Sequence, residues 1–340
     1  MAKNLCRLLA AGVCALLFAA PSISADPAPA PEVCSEGGKW LPRWLSETGW
    51  ADGAAGLIGF TPRFPLWSDG ASKRRWLALP PGTSIDAADP QRWEFPPGTR
   101  LWKEFAYQAA VETRFIVRAD SGTWCYASYV WNADLSQAEL VPAVGLRLAR
   151  ADAPGGRYRV PSRLDCTACH EGGTGPVLGM SPLQLSAQHE DSTPSDLSRL
   201  VAEGWLINLP QALLSGVAIA SDNPREVAAL GYLHGNCGHC HNGHGPLSSL
   251  GLNLHQSVGG ESALQAVRNS LLSATKTTSF GLSHRVLPGK PEASQLLARL
   301  GTRNPYLRMP PLGTSEPDPI GTDTIALWIA ELKHLQEKPQ

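Results

Sequence analysis

Two short stretches of this chain carry the same reactive pattern. "CTACHE" at 166–171 and "CGHCHN" at 237–242 each place two cysteines three residues apart, with a histidine directly behind the second. Cys166, Cys169 and His170 make one set, and Cys237, Cys240 and His241 make the other. A Gly-Pro pair follows each set within a few residues, at Gly175-Pro176 and Gly245-Pro246.

Four chemistries compete for thiols at that spacing. A zinc site brings its second pair within tens of residues and has no need of a histidine fixed behind each pair. A redox dithiol of the thioredoxin kind sits in a βαβ context, which neither flank offers. Local disulfides leave both histidines unexplained. Covalent haem attachment accounts for every position. On a helical turn, residues i and i+3 project to the same side and can form thioethers with two vinyl groups, and the next imidazole then lies beneath the macrocycle. The expectation is two covalently bound haem c groups, held by Cys166, Cys169, Cys237 and Cys240, with His170 and His241 as proximal iron ligands.

The motif with its Gly-Pro sequel resembles class I c-type cytochromes. That resemblance implies that the Pro176 and Pro246 carbonyls accept the second ring N–H of each histidine, which fixes its tautomer. It also implies a distal role for Met309, in "YLRMPPLGT" (306–314) ahead of a C-terminal helix. A thioether there would raise the reduction potential relative to bis-histidine ligation. The plainer reading is a gap-filling methionine, but the chain has only three methionines, one of them the initiator. For the first motif the leading distal candidate is Met180, in "PVLGMSPLQL", with an unidentified ligand or an open position as the alternative. His189, His234, His244, His255 and His284 are further candidates, each also readable as an ordinary surface or turn residue.

Helical segments must position these groups. "PREVAALGYLHGNC" (224–237) opens at Pro224 and places Val227, Leu230 and Leu233 on one face, with Ala229 and Gly231 permitting close approach by another helix. "IGTDTIALWIAELKHL" (320–335) sets Ile325, Trp328, Ile329, Leu332 and Leu335 along a stripe. "TPSDLSRLVAEGWL" (193–206) reads as a helix capped by Thr193. "VLPGKPEASQLLARL" (286–300) reads as a turn and then a helix.

Residues 60–145 behave differently. "RRWLALP", "RWEFPPGT", "RLWKEFAY", "AVETRFIVRA" and "TWCYASYVWN" alternate polar with aromatic or branched residues between Pro-Gly, Gly-Thr and Ser-Gly turns. An antiparallel sandwich or barrel is expected. Trp67, Trp76, Trp93, Trp102, Trp124 and Trp131 suit core packing better than a carbohydrate-stacking face.

The fold class expected is therefore α+β and multidomain: a sandwich- or barrel-like β domain over 60–156, a first haem region over 157–223, and a mainly helical, class I cytochrome c-like domain over 224–340. Residues 26–59 form a linker. Residues 1–25 read as an export signal, with Lys3 and Arg7 ahead of "LLAAGVCALLFAA" and cleavage after Ala25, so the periplasm is the expected location, with no stable membrane span once the signal is removed. Of eight cysteines, two lie in the signal and four in the motifs. Cys34 and Cys125 remain, an expected disulfide in an oxidising compartment. A formal charge of −1 offers no surface for nucleic acid.

Taken together, "FPLWSDGASKRRWLALPPGT", "WEFPPGTRLWKEF", "ETRFIVR", "YVWN", "VPSRLDCTACH", "GYLHGNCGHCHN" and "MPPLG" resemble a family of exported bacterial dihaem c-type cytochromes with a β-rich N-terminal domain, over about 60–315. The resemblance implies haem and export, and supplies no reaction. Single-electron transfer between periplasmic redox partner proteins is the leading expectation. A peroxidase-like dihaem enzyme with one open haem is the rival, although such enzymes separate their motifs more widely than Cys166 and Cys237. A ligand-binding β domain coupled to the haems is the third possibility.

Overall fold

The computed structural model describes residues 41–51, 56–186 and 195–332, all within one unit, Val33–Gln340. The expected export signal, Cys34, His189 and the Thr193 cap lie outside the described residues.

Alternation of large apolar and polar side chains produces the first seven strands: β1 (Ile58–Gly59), β2 (Ser72–Ala78), β3 (Ile85–Asp86), β4 (Arg100–Ala106), β5 (Ala110–Arg118), β6 (Trp124–Trp131) and β7 (Ala138–Leu140). Six of them pair antiparallel in the order β1-β2-β4-β5-β6-β7. Then come β8 (Leu146–Ala149) and β9 (Arg157–Val160), the helices α1 (Arg163–His170), α2 (Pro182–Leu185) and α3 (Asp196–Ala202), and β10 (Leu206–Ile207). The rest is α4 (Pro224–Asn236), α5 (Glu261–Leu272), the β11 (Ala274–Ser279) and β12 (Leu282–His284) pair, α6 (Gln295–Gly301) and α7 (Pro319–Glu331). The chain is thus α+β, as expected.

Among the described residues the β part is one open six-stranded sheet with two small pairs, β3–β10 and β8–β9, beside it, neither a two-sheet sandwich nor a closed barrel. Its faces find other partners. Leu77 and Leu101 pack with Leu185, Leu197, Leu200 and Leu206 from the α2–β10 region. Trp102, Phe115 and Val117, on the opposite face, pack with Leu45 and Trp50. "RWEFPPGT" adds only an isolated bridge, Asp86 to Glu94, because Pro96 and Pro97 directly follow and cannot donate to a ladder. Trp93 and Trp102 are buried, and Trp76, Trp124 and Trp131 pack partly buried against the apolar clusters, in line with core packing.

Both long C-terminal-half helices begin on the same device. The Asn223 side chain accepts from the Arg225 and Glu226 amides ahead of α4, the Asp318 side chain accepts from the Gly321 amide ahead of α7, and a proline occupies the first turn of each. Each cap is worth about 1 kcal/mol. Leu230 and Leu233 of α4 are fully buried with Ile325, Trp328 and Ile329 of α7, and each such side chain contributes about 1.5–3 kcal/mol. The close approach between these helices falls at Gly321, where a Cβ would come 2.1 Å from the Tyr232 ring. Gly231 serves a different neighbour, for a Cβ there would strike the Phe64 ring at 2.0 Å. The segment Phe64–Trp67 lies across α4 at this point, tied by Asn236, whose Oδ1 accepts from the Trp67 amide at 2.7 Å.

The helix expected from Thr193 is α3, capped by Ser195, whose side chain accepts from the Ser198 amide. Among the described residues no helix is long and apolar enough to cross a membrane.

Candidate functional site

The first motif occupies its own helix. α1 opens with a reciprocal cap: Asp165 N–H donates to Ser162 Oγ at 3.1 Å, and Ser162 N–H donates to Asp165 Oδ2 at 3.0 Å. Helical spacing then puts Cys166, Cys169 and His170 on adjoining positions of one face. His170 Nδ1 donates to the Pro176 carbonyl at 2.7 Å, as the class I resemblance implies. That bond leaves Nε2 with its lone pair available to a metal. Burial pushes the imidazole down to about 3, so it is neutral, the form that ligates. Its ring centroid lies 5.2 Å from that of Tyr126 on β6.

The second motif begins where α4 ends. Cys240 and His241 amides donate to the Cys237 carbonyl at 3.1 and 2.8 Å, giving the expected helical turn. Here the Gly-Pro parallel fails. His241 Nδ1 is buried with no hydrogen-bond partner, and Pro246 does not accept from it. Asn242 is the cause: its Oδ1 accepts from the His244 and Gly245 amides at 2.9 and 2.7 Å, turning the loop before Pro246.

That turn presses the two motif loops together. Asn242 Nδ2 donates to the Gly172 carbonyl at 3.0 Å. A Cβ on Gly245 would come 2.0 Å from that same carbonyl oxygen, so glycine is required at this approach.

A separate cavity opens beside each motif. The first, about 1070 Å³ including its mouth, is bounded by Cys166, Cys169 and His170 on one side and by the sheet on the other, through Arg75, Leu101, Lys103 and Arg114. The second, about 1150 Å³, is bounded by Cys237, Cys240 and His241 and also by Met309. The Met309 loop is held by Arg299, whose carbonyl accepts the Met309 N–H at 2.9 Å and whose Nη1 donates to the Leu307 carbonyl at 3.1 Å. Asn236, His239 and Pro310 line both cavities, so one layer of residues separates them.

Met180 is not in the first motif's cavity. It follows Gly179, which turns at φ +86°, and is buried in the apolar cluster beneath the sheet. It lines a neighbouring cavity together with His234, His239 and His255. His244 and His284 are exposed. Cys125 is buried in β6, and its expected partner Cys34 lies outside the described residues.

The surroundings suit some chemistries better than others. Burial pushes Cys166 and Cys169 up to about 11 and Cys237 up to about 12, and raises Cys240. Such thiols are poor redox nucleophiles, while a neutral thioether carries no charge to desolvate. Among the described residues, no three His, Cys, Asp or Glu side chains converge to hold a metal ion. A haem needs no such cluster, because the macrocycle supplies four nitrogens and the protein one or two ligands. The donor sets and the two large cavities fit that group, and the unpartnered His241 Nδ1 departs from the expected pattern.

Sequence reasoning missed the wall-forming role of the sheet, and missed Arg75, Lys103, Arg114 and His239. The available signal was charge at inward-facing positions of "RLWKEFAY" and "ETRFIVR". Comparison of the chain with family models, with curated proteins and with solved structures gives no match in any of the three.

Proposed function

We propose that this chain is a periplasmic dihaem c-type cytochrome that relays single electrons between redox partner proteins. The carrying observation is the shared wall: Asn236, His239 and Pro310 line both of the cavities beside the two CxxCH motifs. When bound, each haem supplies an iron that changes by one electron.

The chain's own residues perform four tasks in this reading. The cysteine pairs anchor the groups covalently. His170, neutral through burial and oriented by Pro176, would hold the first iron through Nε2. His241 would hold the second without a proline carbonyl to orient it, with Met309 lining the same cavity from a loop fixed by Arg299. The sheet and residues of the 310–314 segment wall the first cavity, and a drier surrounding would favour the less charged redox state.

The test is the chain expressed with its leader and a haem-maturation system. Two haems per chain should survive acid-acetone extraction, and a small donor should reduce both rapidly with negligible turnover of hydrogen peroxide. Absence of covalent haem would overturn the cofactor assignment. Sustained peroxide reduction, with a high-spin ferric signal abolished by cyanide, would replace the relay with an enzyme.

A further inference from the structure

Three cations stand side by side on the sheet face that lines the first cavity. Cross-strand register pairs Arg75 of β2 with Lys103 of β4, and Lys103 with Arg114 of β5. Neighbouring strands are about 4.8 Å apart, and like charges directly opposite repel. All three residues reach the cavity that also holds Cys166, Cys169 and His170.

Their partners are unequal. Arg114 is neutralised by Glu112, with bonds of 2.9 and 3.1 Å, and Glu112 also accepts from the Tyr158 hydroxyl at 2.5 Å. Lys73, next along the same face, donates to the Leu66 carbonyl at 2.6 Å. Asp165, at the cavity edge, is engaged by Arg159 and by the Ser162 amide. Arg75 is only 8 % exposed. Neither its side chain nor that of Lys103 has a hydrogen-bond or ion-pair partner among the described residues. The Lys103 ammonium lies 5.0 Å from the face of Phe105. Burial, with Arg75, Arg114 and Lys73 adding repulsion that the attraction of Glu112 does not offset, drives Lys103 well below the ordinary lysine value, and burial lowers Arg75 to about 10. Unpaired cations in such a site are strongly unfavourable, and a negative group beside them would reverse the sign.

We propose that Arg75 and Lys103 form an anion seat in the first cavity and that its ligand is a carboxylate. Two sources have that chemistry: a propionate of the haem joined through Cys166 and Cys169, or a small diffusible carboxylate. The first rests on the cofactor reading above, and position favours it. α1 packs against β6, where the His170 and Tyr126 rings meet, and Arg114, Lys103 and Arg75 lie on the first, second and third strands beyond it. The vinyl and carboxylate groups of the macrocycle occupy opposite edges, so thioethers near Arg114 direct the carboxylates away from it.

The test uses the full chain with Arg75→Met, Lys103→Met and, as the charge-preserving control, Lys103→Arg. Haem content, the potential of each haem, and melting temperature against added sodium acetate are measured. A propionate in the seat predicts that both methionine variants lower the first haem's potential and leave the second unchanged, that Lys103→Arg restores it, and that acetate has no effect. A diffusible ligand predicts saturable stabilisation of the wild type by acetate, lost in both methionine variants. Methionine variants matching the wild type in both potential and acetate response would overturn the seat. So would a change of iron spin state in Lys103→Met with Arg75→Met silent, which would make Lys103 an iron ligand. If the wild type carries no covalent haem, the cofactor reading fails by itself. The seat then stands on saturable acetate stabilisation that the variants lose, and falls without it.

Discussion

Asn242 holds Gly172. Its side-chain Nδ2 donates to the Gly172 carbonyl at 3.0 Å, joining loops 70 positions apart. The same amide nitrogen also reaches the Gly238 and His239 carbonyls at 3.2 Å each, and its oxygen accepts from two backbone amides. One buried side chain therefore sets the distance between the two reactive motifs.

Replacing it should be costly. Asn242→Ala leaves buried backbone groups unpaired and should cost about 1–3 kcal/mol. Gly245→Ala drives a methyl group into the Gly172 carbonyl and should cost a similar amount, about 1–3 kcal/mol. Thermal melting of the purified variants measures both, and unchanged melting temperatures would show that the loops do not depend on this contact.

Covalent haem should follow the cysteines pair by pair. Cys166→Ala with Cys169→Ala should reduce the count from two to one, and Cys237→Ala with Cys240→Ala should do the same. The pyridine haemochrome of acid-acetone-washed protein gives the number. A double variant that retains both haems would refute attachment at that motif.

Met309 and His241 both line the second cavity, and if a haem is held there, replacing Met309 should expose its iron. Met309→Ala should abolish the weak near-infrared band of ferric methionine ligation and admit carbon monoxide. The absorption spectrum decides, and an unaltered one would eliminate Met309 as a ligand.

Glu226 supplies an acid-sensitive tie between α4 and α5. Burial works to raise its carboxyl, but hydrogen bonds from Arg268 and Ser221 outweigh this and hold it below the usual carboxylate value. The bond to Arg268 Nε is 2.8 Å. A carboxyl depressed in the folded state stabilises above its unfolded pKa, and that stability is lost as pH falls through the folded value. Melting temperature should therefore drop below about pH 4.5, and less steeply in Glu226→Gln, which should cost about 1.5 kcal/mol at neutral pH by weakening the charged hydrogen bonds to Arg268, which keeps Glu261 at 3.9 Å. Identical acid limbs for the two proteins would exclude this pair as the source.

The parts of this architecture that can be read in one dimension are those governed by local periodicity. β2, β4, β5 and β6 overlap the alternating segments, and α4 and α7 overlap the apolar stripes of 224–237 and 320–335, of which Leu335 lies outside the described residues. Met309 and the Pro176 bond to His170 were legible because each belongs to a short, spaced pattern. What escaped depends on separations that no local window spans. A sandwich or barrel was expected where an open sheet stands, because alternation reports a buried face without saying whether strands or helices cover it. Gly231 was assigned to a helix contact because spacing shows a flat surface and leaves its occupant, here Phe64, unnamed. His241 was expected to bond Pro246, and the local Asn242 turn intervened. The charges on the cavity wall were visible as residues, but only strand register reveals that Arg75, Lys103 and Arg114 are neighbours.

The unequal sequence span of the two cavities has a kinetic consequence. The lining around His241 comes from 236–311, whereas that around His170 runs from Phe60 to Thr314. Segments that are close in sequence meet sooner than remote ones, because the entropy of loop closure rises with separation. The cavity around His241 should therefore close early, on a stretch that needs none of the sheet. The cavity around His170 has to wait until the 310–314 segment has come back across strands made long before it. During maturation the first motif remains open to solvent after the second has been enclosed. An enzyme that attaches haem to the unfolded chain would then have the longer time at Cys166 and Cys169.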